Sequence, residues 1–275
     1  MGRVKLPRIK AGNVTVGGEE LAFILGPCVI ESEAFAWKMA RRIHEICTAE
    51  DAAFVFKASY DKANRTSVRS YRGIGAREGC ELLAAIGAEL KVPVTTDIHS
   101  PAEAEIASAF IDILQIPAFL CRQTDLLKAA AATGRIVNVK KGQFLAPGDV
   151  RNIAEKLVAF GCTKFFFTER GTTFGYNNLV VDMRSLPWIR EVGYRVIFDA
   201  THSVQRPGGA GDRTSGDGAL APVLARAAVA AGCDGIFMEV HENPGRALSD
   251  GPNQLPLKQL PKHIRMLKTI HAAVS

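Results

Sequence analysis

Two patterns of apolar and polar positions alternate along the whole chain. Short segments rich in β-branched and aromatic residues predict eight β-strands: Leu21–Cys28, Ala53–Ala58, Val92–Asp97, Ile113–Ile116, Ile136–Lys140, Lys164–Glu169, Arg195–Asp199 and Gly235–Val240. Longer segments with helical spacing of apolar residues predict the helices that follow them: Ser32–Ala49, Ala76–Leu90, Pro101–Phe110, Thr124–Thr133, Pro147–Phe160, Ser185–Glu191, Ala219–Ala231 and Leu257–Ala273. Strand–helix units repeated eight times in 275 residues predict an α/β fold, a closed (β/α)8 barrel with residues 1–275 as one domain.

Several predicted helices carry boundary signals. Ser100 before Pro101 indicates an N-cap followed by proline in the first turn, and Gly134, Gly161 and Gly232 stand where C-terminal glycines belong. A doubly wound open sheet is the structural alternative. No G-x-G-x-x-G follows the first predicted strand, which weakens a dinucleotide-binding form of that fold.

Residues 1–20 predict a short β-hairpin. The segments Lys5–Ile9 and Val14–Val16 flank the turn-forming pair Gly12-Asn13. We expect this hairpin to close the bottom of the barrel.

Charge and cysteine usage narrow the class of protein. The formal net charge of +6 is compatible with nucleic-acid binding, with a site for anionic small molecules, or with a solvated basic surface. The basic residues are dispersed and form no recognised nucleic-acid motif, so we expect no such partner. The six cysteines are scattered singly, which favours reduced thiols and a cytoplasmic protein. No apolar run of about 18 residues occurs, so we expect no membrane partner.

Nearly every predicted strand ends at a polar or ionisable side chain. In (β/α)8 barrels the chemistry lies at the carboxyl ends of the strands, so these side chains are expected to converge. In chain order they are Cys28, Lys57, Asp97, Gln115, Lys140, Arg170, His202 and Glu239.

Four cations form the first subset of this predicted site. Lys57, Lys62, Lys140 and Arg170 suit phosphate and carboxylate groups, and cations that converge without acids require a polyanionic ligand. The alternative pairs each cation with a nearby acid, such as Arg170 with Glu169. Neighbours in a strand point to opposite faces, however, which argues against that pair.

A second subset has the chemistry of a metal site. Cys28, His202, Glu239 and Asp250 offer a thiolate, an imidazole and two carboxylates, which suit a first-row divalent ion. Taken singly, a residue such as Cys28 is more often a small buried apolar residue, and one such as His202 is more often a hydrogen-bonded core histidine.

Two loops complete the predicted site. The segment Lys62–Ser67 is polar, and its Arg65 side chain with the Thr66 and Ser67 hydroxyls suits a phosphate, although a solvated turn is the simpler interpretation. The loop Ser203–Gly218 includes the glycine-rich stretch Arg206–Asp212, which is typical of a mobile lid and also of an ordinary loop.

With these residues in place, the chain resembles the 3-deoxy-D-manno-octulosonate 8-phosphate synthases, also called 2-dehydro-3-deoxyphosphooctonate aldolases. The K-A-N-R-[ST]-S motif at Lys62–Ser67 is specific, since the related heptulosonate synthases carry K-P-R-[TS] instead. The other matching segments are Gly26–Ser32, Phe56–Gly73, Gln115–Leu126, Asn138–Phe144, Thr168–Asn178, Phe198–Pro207 and Asp250–Asn253.

The resemblance implies an activity and an assembly. Members of the family are (β/α)8-barrel homotetramers. They join phosphoenolpyruvate, D-arabinose 5-phosphate and water, giving the eight-carbon phosphosugar acid and phosphate for Kdo and lipopolysaccharide biosynthesis.

The resemblance also implies roles for individual residues. The expected phosphoenolpyruvate ligands are Lys57, Lys62, Gln115, Lys140 and Arg170. The expected aldose ligands are Asn64, Arg65 and Thr66 at the phosphate, Asp97 near the sugar, and Arg122 reaching across a subunit boundary. The expected catalytic residues are Lys57, Lys62, Lys140, His202 and Asp250.

Cys28 implies the metal-dependent branch of this family, because the metal-independent branch has asparagine at that position. The implied ligands are Cys28, His202, Glu239 and Asp250, for a divalent ion such as Mn, Fe, Co or Zn. One departure is the stretch Ser249-Asp250-Gly251-Pro252, which resembles the C-D-G-P sequence of metal-independent members, with Ser249 in place of the cysteine.

Three rival functions stay open at this stage. A heptulosonate 7-phosphate synthase would use erythrose 4-phosphate, but the pair Ala63-Asn64 argues against it. A metal-dependent hydrolase would need an early H-x-H ligand pair, which the first strand lacks. A nucleic-acid binder would explain the charge alone.

Overall fold

The barrel is closed by eight parallel strands. The structure, a computed structural model, describes residues 6–65, 67–209 and 215–275. Its strands are β1 (Ala22–Gly26), β2 (Phe54–Lys57), β3 (Val94–Asp97), β4 (Ile113–Ile116), β5 (Ile136–Lys140), β6 (Phe165–Glu169), β7 (Val196–Asp199) and β8 (Gly235–His241). Each strand pairs in parallel with the next, and β8 pairs with both β7 and β1. The predicted (β/α)8 barrel is confirmed.

A helix follows each strand. The helices are α1 (Glu33–Ala49), α2 (Ala76–Leu90), α3 (Pro101–Ser108), α4 (Thr124–Ala132), α5 (Val150–Ala159), α6 (Ser185–Glu191), α7 (Ala221–Ala230) and α8 (Leu260–Val274). Ser100 is the predicted N-cap, and its side chain accepts a hydrogen bond from the backbone N–H of Glu103. Gly134, Gly161 and Gly232 all have positive φ at the ends of α4, α5 and α7, as predicted.

Three predicted helices start later than the sequence pattern indicates. Each begins with a turn of 3₁₀ helix, at Pro147–Asp149, Gly218–Leu220 and Leu257–Gln259. The apolar spacing continues through such a turn, so the sequence pattern includes it in the helix. Its hydrogen bonds join residues three apart, however, and the α-helix proper begins after it.

The N-terminal hairpin is present, but its first strand is not where we predicted it. Ile9–Ala11 pairs antiparallel with Val14–Val16, which makes Gly12-Asn13 a two-residue turn. The predicted strand at Lys5–Ile9 is wrong, because strands joined by a two-residue turn must pair directly on either side of Gly12-Asn13. Lys5 itself lies outside the described residues. Ile9 packs with inward-facing barrel residues, including Ile24 of β1.

The barrel interior changes character along its axis. Inward-facing residues at the hairpin end are apolar, whereas those at the carboxyl end of the strands are buried polar groups. A second apolar layer fills the space between strands and helices. All six cysteines are buried and unpaired. Among the described residues, no helix combines the length and the apolar character needed to span a membrane.

Candidate active site

A large cavity opens at the carboxyl ends of the strands. Its volume is about 1540 Å³. The predicted site residues that line it are Lys57, Lys62, Asn64, Arg65, Asp97, Lys140, Arg170, His202 and Asp250. These side chains come from distant parts of the sequence and lie together at one face of the barrel, as expected for the carboxyl ends of its strands.

The other predicted residues lie elsewhere. Cys28, Gln115 and Glu239 are almost completely buried beneath the cavity floor. Arg122 is exposed and lies outside the cavity lining. Thr66 lies outside the described residues, as do residues 210–214 of the predicted lid.

The lysines of the floor are paired with buried acids. Lys57 Nζ donates to Glu239 Oε1 at 2.9 Å and to the Cys28 carbonyl oxygen at 3.2 Å. Lys140 Nζ donates to Asp199 Oδ2. The expectation that the cations converge without acids is therefore wrong. Asp199 and Glu239 face into the barrel beside the lysines, and the linear order of strand ends does not show that contact.

Arg170 differs from the lysines. The described residues place no carboxylate within ion-pair distance of it. Its Nη2 donates to the His202 carbonyl oxygen and to Gln205 Oε1, while its buried Nη1 finds no partner in the described parts of the chain. Glu169 pairs with Lys141 at 3.5 Å instead, which confirms that Glu169 and Arg170 face opposite sides. Arg170 thus keeps a donor for a ligand.

Below the cavity, a hydrogen-bond chain crosses four adjacent strands. Thr168 Oγ1 donates to Asn138 Oδ1 at 2.8 Å, and Asn138 Nδ2 donates to Gln115 Oε1 at 3.0 Å. Gln115 Nε2 then donates to Asp97 Oδ1 at 2.6 Å. The predicted ligand Gln115 therefore supports Asp97 from below. Sequence reasoning missed Asn138 and Thr168, although their inward position follows from strand alternation.

The buried acids are ionised. Burial alone would raise the pKa of Asp199, but the charges of His202 and Lys140 and their hydrogen bonds hold that pKa well below its usual range. Burial would likewise raise the pKa of Glu239, and Lys57 and His202 lower it. Burial lowers the pKa of Lys140, whereas Asp199 and Asp97 raise it, so the charge of Lys140 depends on those two acids.

Three of the four predicted metal ligands form a cluster. One donor atom each from Cys28, Glu239 and Asp250 lies within 4.8 Å of the other two. His202 Nε2 lies 3.5 Å from Glu239 Oε1 and 3.7 Å from Asp250 Oδ2. His202 Nδ1 lies 2.8 Å from Asp199 Oδ2, the arrangement that orients a ligating imidazole.

The donor chemistry fits a divalent ion. Burial, followed by the charge of Glu239, raises the pKa of the Cys28 thiol to about 12. A divalent cation would favour the thiolate instead, and the mixed sulfur, nitrogen and oxygen donors suit a first-row metal.

Backbone geometry brings these ligands together. A Cβ atom at Gly26 would lie 1.8 Å from the Lys57 carbonyl oxygen, so only glycine lets the end of β1 approach β2 this closely. Asp250 has φ of 51°, a left-handed conformation that aspartate tolerates better than most residues. A Cβ atom at Gly251 would lie 2.3 Å from the Pro244 carbonyl oxygen, so the turn after Asp250 also requires glycine.

Sequence reasoning also missed a histidine that lines the cavity. His99 follows Asp97 by two residues, and its Nδ1 lies 2.8 Å from Glu103 Oε2, which also accepts a hydrogen bond from Tyr60. Burial would lower the pKa of His99, but Glu103 and Asp97 together raise it. The sequence signal that could have identified His99 is its position two residues after the end of β3.

Comparison with known proteins gives the family. The model of the DAHP synthetase I family matches residues 5–275. A Synechococcus sp. 2-dehydro-3-deoxyphosphooctonate aldolase is 56% identical over 277 residues, covering 100% of this chain and 98% of the relative. Proteins of the same name from Pelobacter propionicus and Geobacter sp. are 56% and 55% identical, each covering 97% of this chain and 98% of the relative. The chain belongs to the DAHP synthetase I family, alongside relatives named 2-dehydro-3-deoxyphosphooctonate aldolase.

Proposed function

We propose that this protein condenses phosphoenolpyruvate with D-arabinose 5-phosphate and water. The products are 3-deoxy-D-manno-octulosonate 8-phosphate and phosphate, on the route to Kdo and lipopolysaccharide. The observation that carries the proposal is the cavity floor: Lys57, Lys140 and Arg170 meet there beside the Cys28 cluster. Relatives matched over nearly their full length carry the name 2-dehydro-3-deoxyphosphooctonate aldolase.

Phosphoenolpyruvate occupies the floor. Its phosphate and carboxylate require several cationic donors at short range, which Lys57, Lys62, Lys140 and Arg170 supply. Nη1 of Arg170, which has no partner in the part of the chain that the structure describes, can donate to one of these groups. Gln115 acts from below, through Asp97.

The aldose occupies the outer part of the cavity. Asn64 and Arg65 line it and hold the sugar phosphate, together with Thr66. Asp97 faces the sugar chain. This placement leaves the aldehyde end pointing towards the floor, where phosphoenolpyruvate lies.

The residues of the floor serve the developing charges. Carbon 3 of phosphoenolpyruvate attacks the aldehyde carbon, water adds at carbon 2, and phosphate leaves by carbon–oxygen cleavage. The former aldehyde oxygen becomes negative, and Lys57, Lys62 and His202 are the nearby donors. Lys140 and Arg170 stabilise the departing phosphate.

A divalent ion such as Mn, Fe, Co or Zn would be held by Cys28, His202, Glu239 and Asp250. When bound, it would orient the aldose or, as a Lewis acid, lower the pKa of a water. Its ligand Glu239 also accepts from Lys57, so the ammonium group balances charge in the site.

The assembly is a homotetramer in the cytoplasm. Arg122 lies outside its own cavity, as expected of a residue that completes a neighbour's site. The exposed aromatic residues Phe119, Phe144 and Phe174 follow β4, β5 and β6, on the same side as Arg122. A second copy of the chain would cover them.

The deciding experiment measures phosphate release from phosphoenolpyruvate with two aldoses. We expect release with arabinose 5-phosphate and little with erythrose 4-phosphate, because the loop carries Ala63-Asn64. Preference for erythrose 4-phosphate would favour a heptulosonate 7-phosphate synthase. Release with neither aldose would overturn both.

A further inference from the structure

A short segment between β8 and α8 contacts both the floor of the cavity and its outer part. We define the 248–250 segment as Leu248, Ser249 and Asp250. Asp250 belongs to the cluster with Cys28, whereas Leu248 and Ser249 contact Arg65 of the loop after β2. The segment therefore lies between the donors of the metal cluster and the donors proposed for the sugar phosphate.

Ser249 makes the direct link. Its hydroxyl oxygen accepts from the Cys28 thiol at 3.0 Å and from Arg65 Nη1 at 2.8 Å. Ser249 is 3% exposed, so water does not compete strongly for these bonds. One buried oxygen thus joins a proposed metal ligand to a proposed phosphate ligand.

The same segment sets the orientation of Arg65. Nη2 of Arg65 donates to the Leu248 carbonyl oxygen at 2.7 Å, while Nη1 donates to Ser249. Nε of Arg65 is buried and has no hydrogen-bond partner among residues 6–65, 67–209 and 215–275. A guanidinium held by two of its N–H groups keeps its other N–H groups for an anion and loses less conformational freedom when the anion binds.

Further contacts fasten the segment to the end of β1. Gln254 accepts from the Cys28 backbone N–H at 3.4 Å and donates to the Ser249 carbonyl oxygen at 2.8 Å. Glu31 accepts from the Leu248 N–H at 2.9 Å. Movement of Cys28 or Asp250 is therefore transmitted to Ser249.

We propose that Ser249 is a positioning residue that couples ion binding to aldose-phosphate binding. An ion on Cys28 and Asp250 would make Cys28 a thiolate, so the Ser249 hydroxyl would donate to the sulfur while its oxygen still accepts from Arg65. This would order the 248–250 segment and hold Arg65 in its phosphate-binding orientation. This inference rests on the proposed function. Because coupling between two ligands is reciprocal, the ion and arabinose 5-phosphate raise each other's affinity by the same factor.

The test compares binding rather than turnover. Calorimetry measures the Kd of arabinose 5-phosphate for the enzyme with and without Co²⁺, and equilibrium dialysis measures the Kd of Co²⁺ with and without the sugar phosphate. We expect Co²⁺ to tighten binding about fivefold or more in the unchanged protein. In Ser249→Ala the factor falls towards one, and the KM for arabinose 5-phosphate rises while that for phosphoenolpyruvate stays within about twofold.

Two further variants keep the test decisive. Ser249→Cys preserves the size of the side chain but replaces the hydroxyl with a weak acceptor, so it should also lose the coupling even if the alanine variant folds poorly. Ser185→Ala removes a buried hydroxyl at the start of α6, outside the cavity lining, and should keep the full coupling.

The outcomes separate this inference from the proposed function. Equal coupling in the unchanged protein, Ser249→Ala and Ser249→Cys would overturn the role of Ser249, since the ion would then act on the sugar directly. Absence of coupling between the ion and arabinose 5-phosphate in the unchanged protein would also overturn the proposed role of Ser249. In both cases normal condensation would leave the proposed function intact, whereas failure to release phosphate with arabinose 5-phosphate would remove the proposed function itself.

Discussion

Lys140 on β5 donates a hydrogen bond to Asp199 on β7, at the floor of the cavity. The same ammonium group lies 3.8 Å from the centroid of the Phe237 ring. This pairing keeps a buried cation charged where burial alone would favour its neutral form. In the proposed mode of binding, the Lys140 ammonium group lies beside phosphoenolpyruvate, with Asp199 as its counter-charge.

Removing a cation from the floor should reduce turnover strongly. We expect Lys140→Ala and Arg170→Ala each to lower kcat/KM by about 100-fold or more, because donors to developing charge contribute on that scale. Steady-state phosphate release measures this loss. The exposed Lys128 on α4 is the control, and Lys128→Ala should retain normal rates. Near-normal turnover in both floor variants would refute their assignment.

Chelation should abolish activity, and Mn²⁺ or Co²⁺ should restore it. The reason is the donor cluster of Cys28, Glu239 and Asp250, which lies next to His202. Metal analysis before and after chelation must accompany the rates. Full activity in metal-free protein would exclude the ion from the reaction.

A related variant tests whether the ion can be bypassed. We expect Cys28→Asn to bind divalent ions less tightly, because the thiolate ligand is lost. It should retain some activity after chelation, since the metal-independent relatives of the resembled family have asparagine there. Complete loss of activity in both the presence and the absence of added ion would contradict this expectation.

The fold was predictable because its signal is repeated. A pattern of eight strand–helix units survives small errors in each unit. Boundaries such as Leu21–Cys28 against the observed Ala22–Gly26 depend on backbone pairing with neighbouring strands, which apolar character alone does not encode. The hairpin strand at Ile9–Ala11 was missed for the same reason.

The site was predictable only in part. Strand-end positions gave Lys57, Lys140 and Glu239, since topology alone brings strand ends together. The sequence did not predict the inward position of Asn138 or the pairing of Asp199 with Lys140. Which partner a polar residue inside an apolar segment contacts depends on how the strands close into the barrel.

The hydrogen-bond chain beneath the cavity should matter for stability. Asn138→Ala would leave Gln115 Oε1 and Thr168 Oγ1 unpaired in the barrel interior. Each buried polar group without a partner costs about 1–3 kcal/mol, so we expect a loss of about 2–4 kcal/mol in the free energy of unfolding. Urea titration measures it, with the exposed Thr269→Ala as the control. A loss below about 0.5 kcal/mol would show that water replaces the amide.

The pair of His99 and Glu103 should make stability depend on pH. Burial would lower the pKa of His99, but Glu103 and Asp97 raise it above its ordinary value of 6.5. A group whose pKa is raised by folding stabilises the protein fully below about pH 6.5 and loses that contribution as the pH rises through the higher folded value. The free energy of unfolding should therefore decrease from mildly acidic to alkaline pH.

Replacing the histidine should remove this dependence. His99→Gln keeps a hydrogen-bond donor near Glu103 but cannot be charged. We expect the urea midpoint of the unchanged protein to fall between about pH 6 and about pH 9 by more than that of the variant, because only the unchanged protein loses a charged pair. Tyr60 still donates to Glu103 in both proteins, so the difference isolates the imidazole charge. Parallel midpoints across this range would show that His99 has the same pKa folded and unfolded.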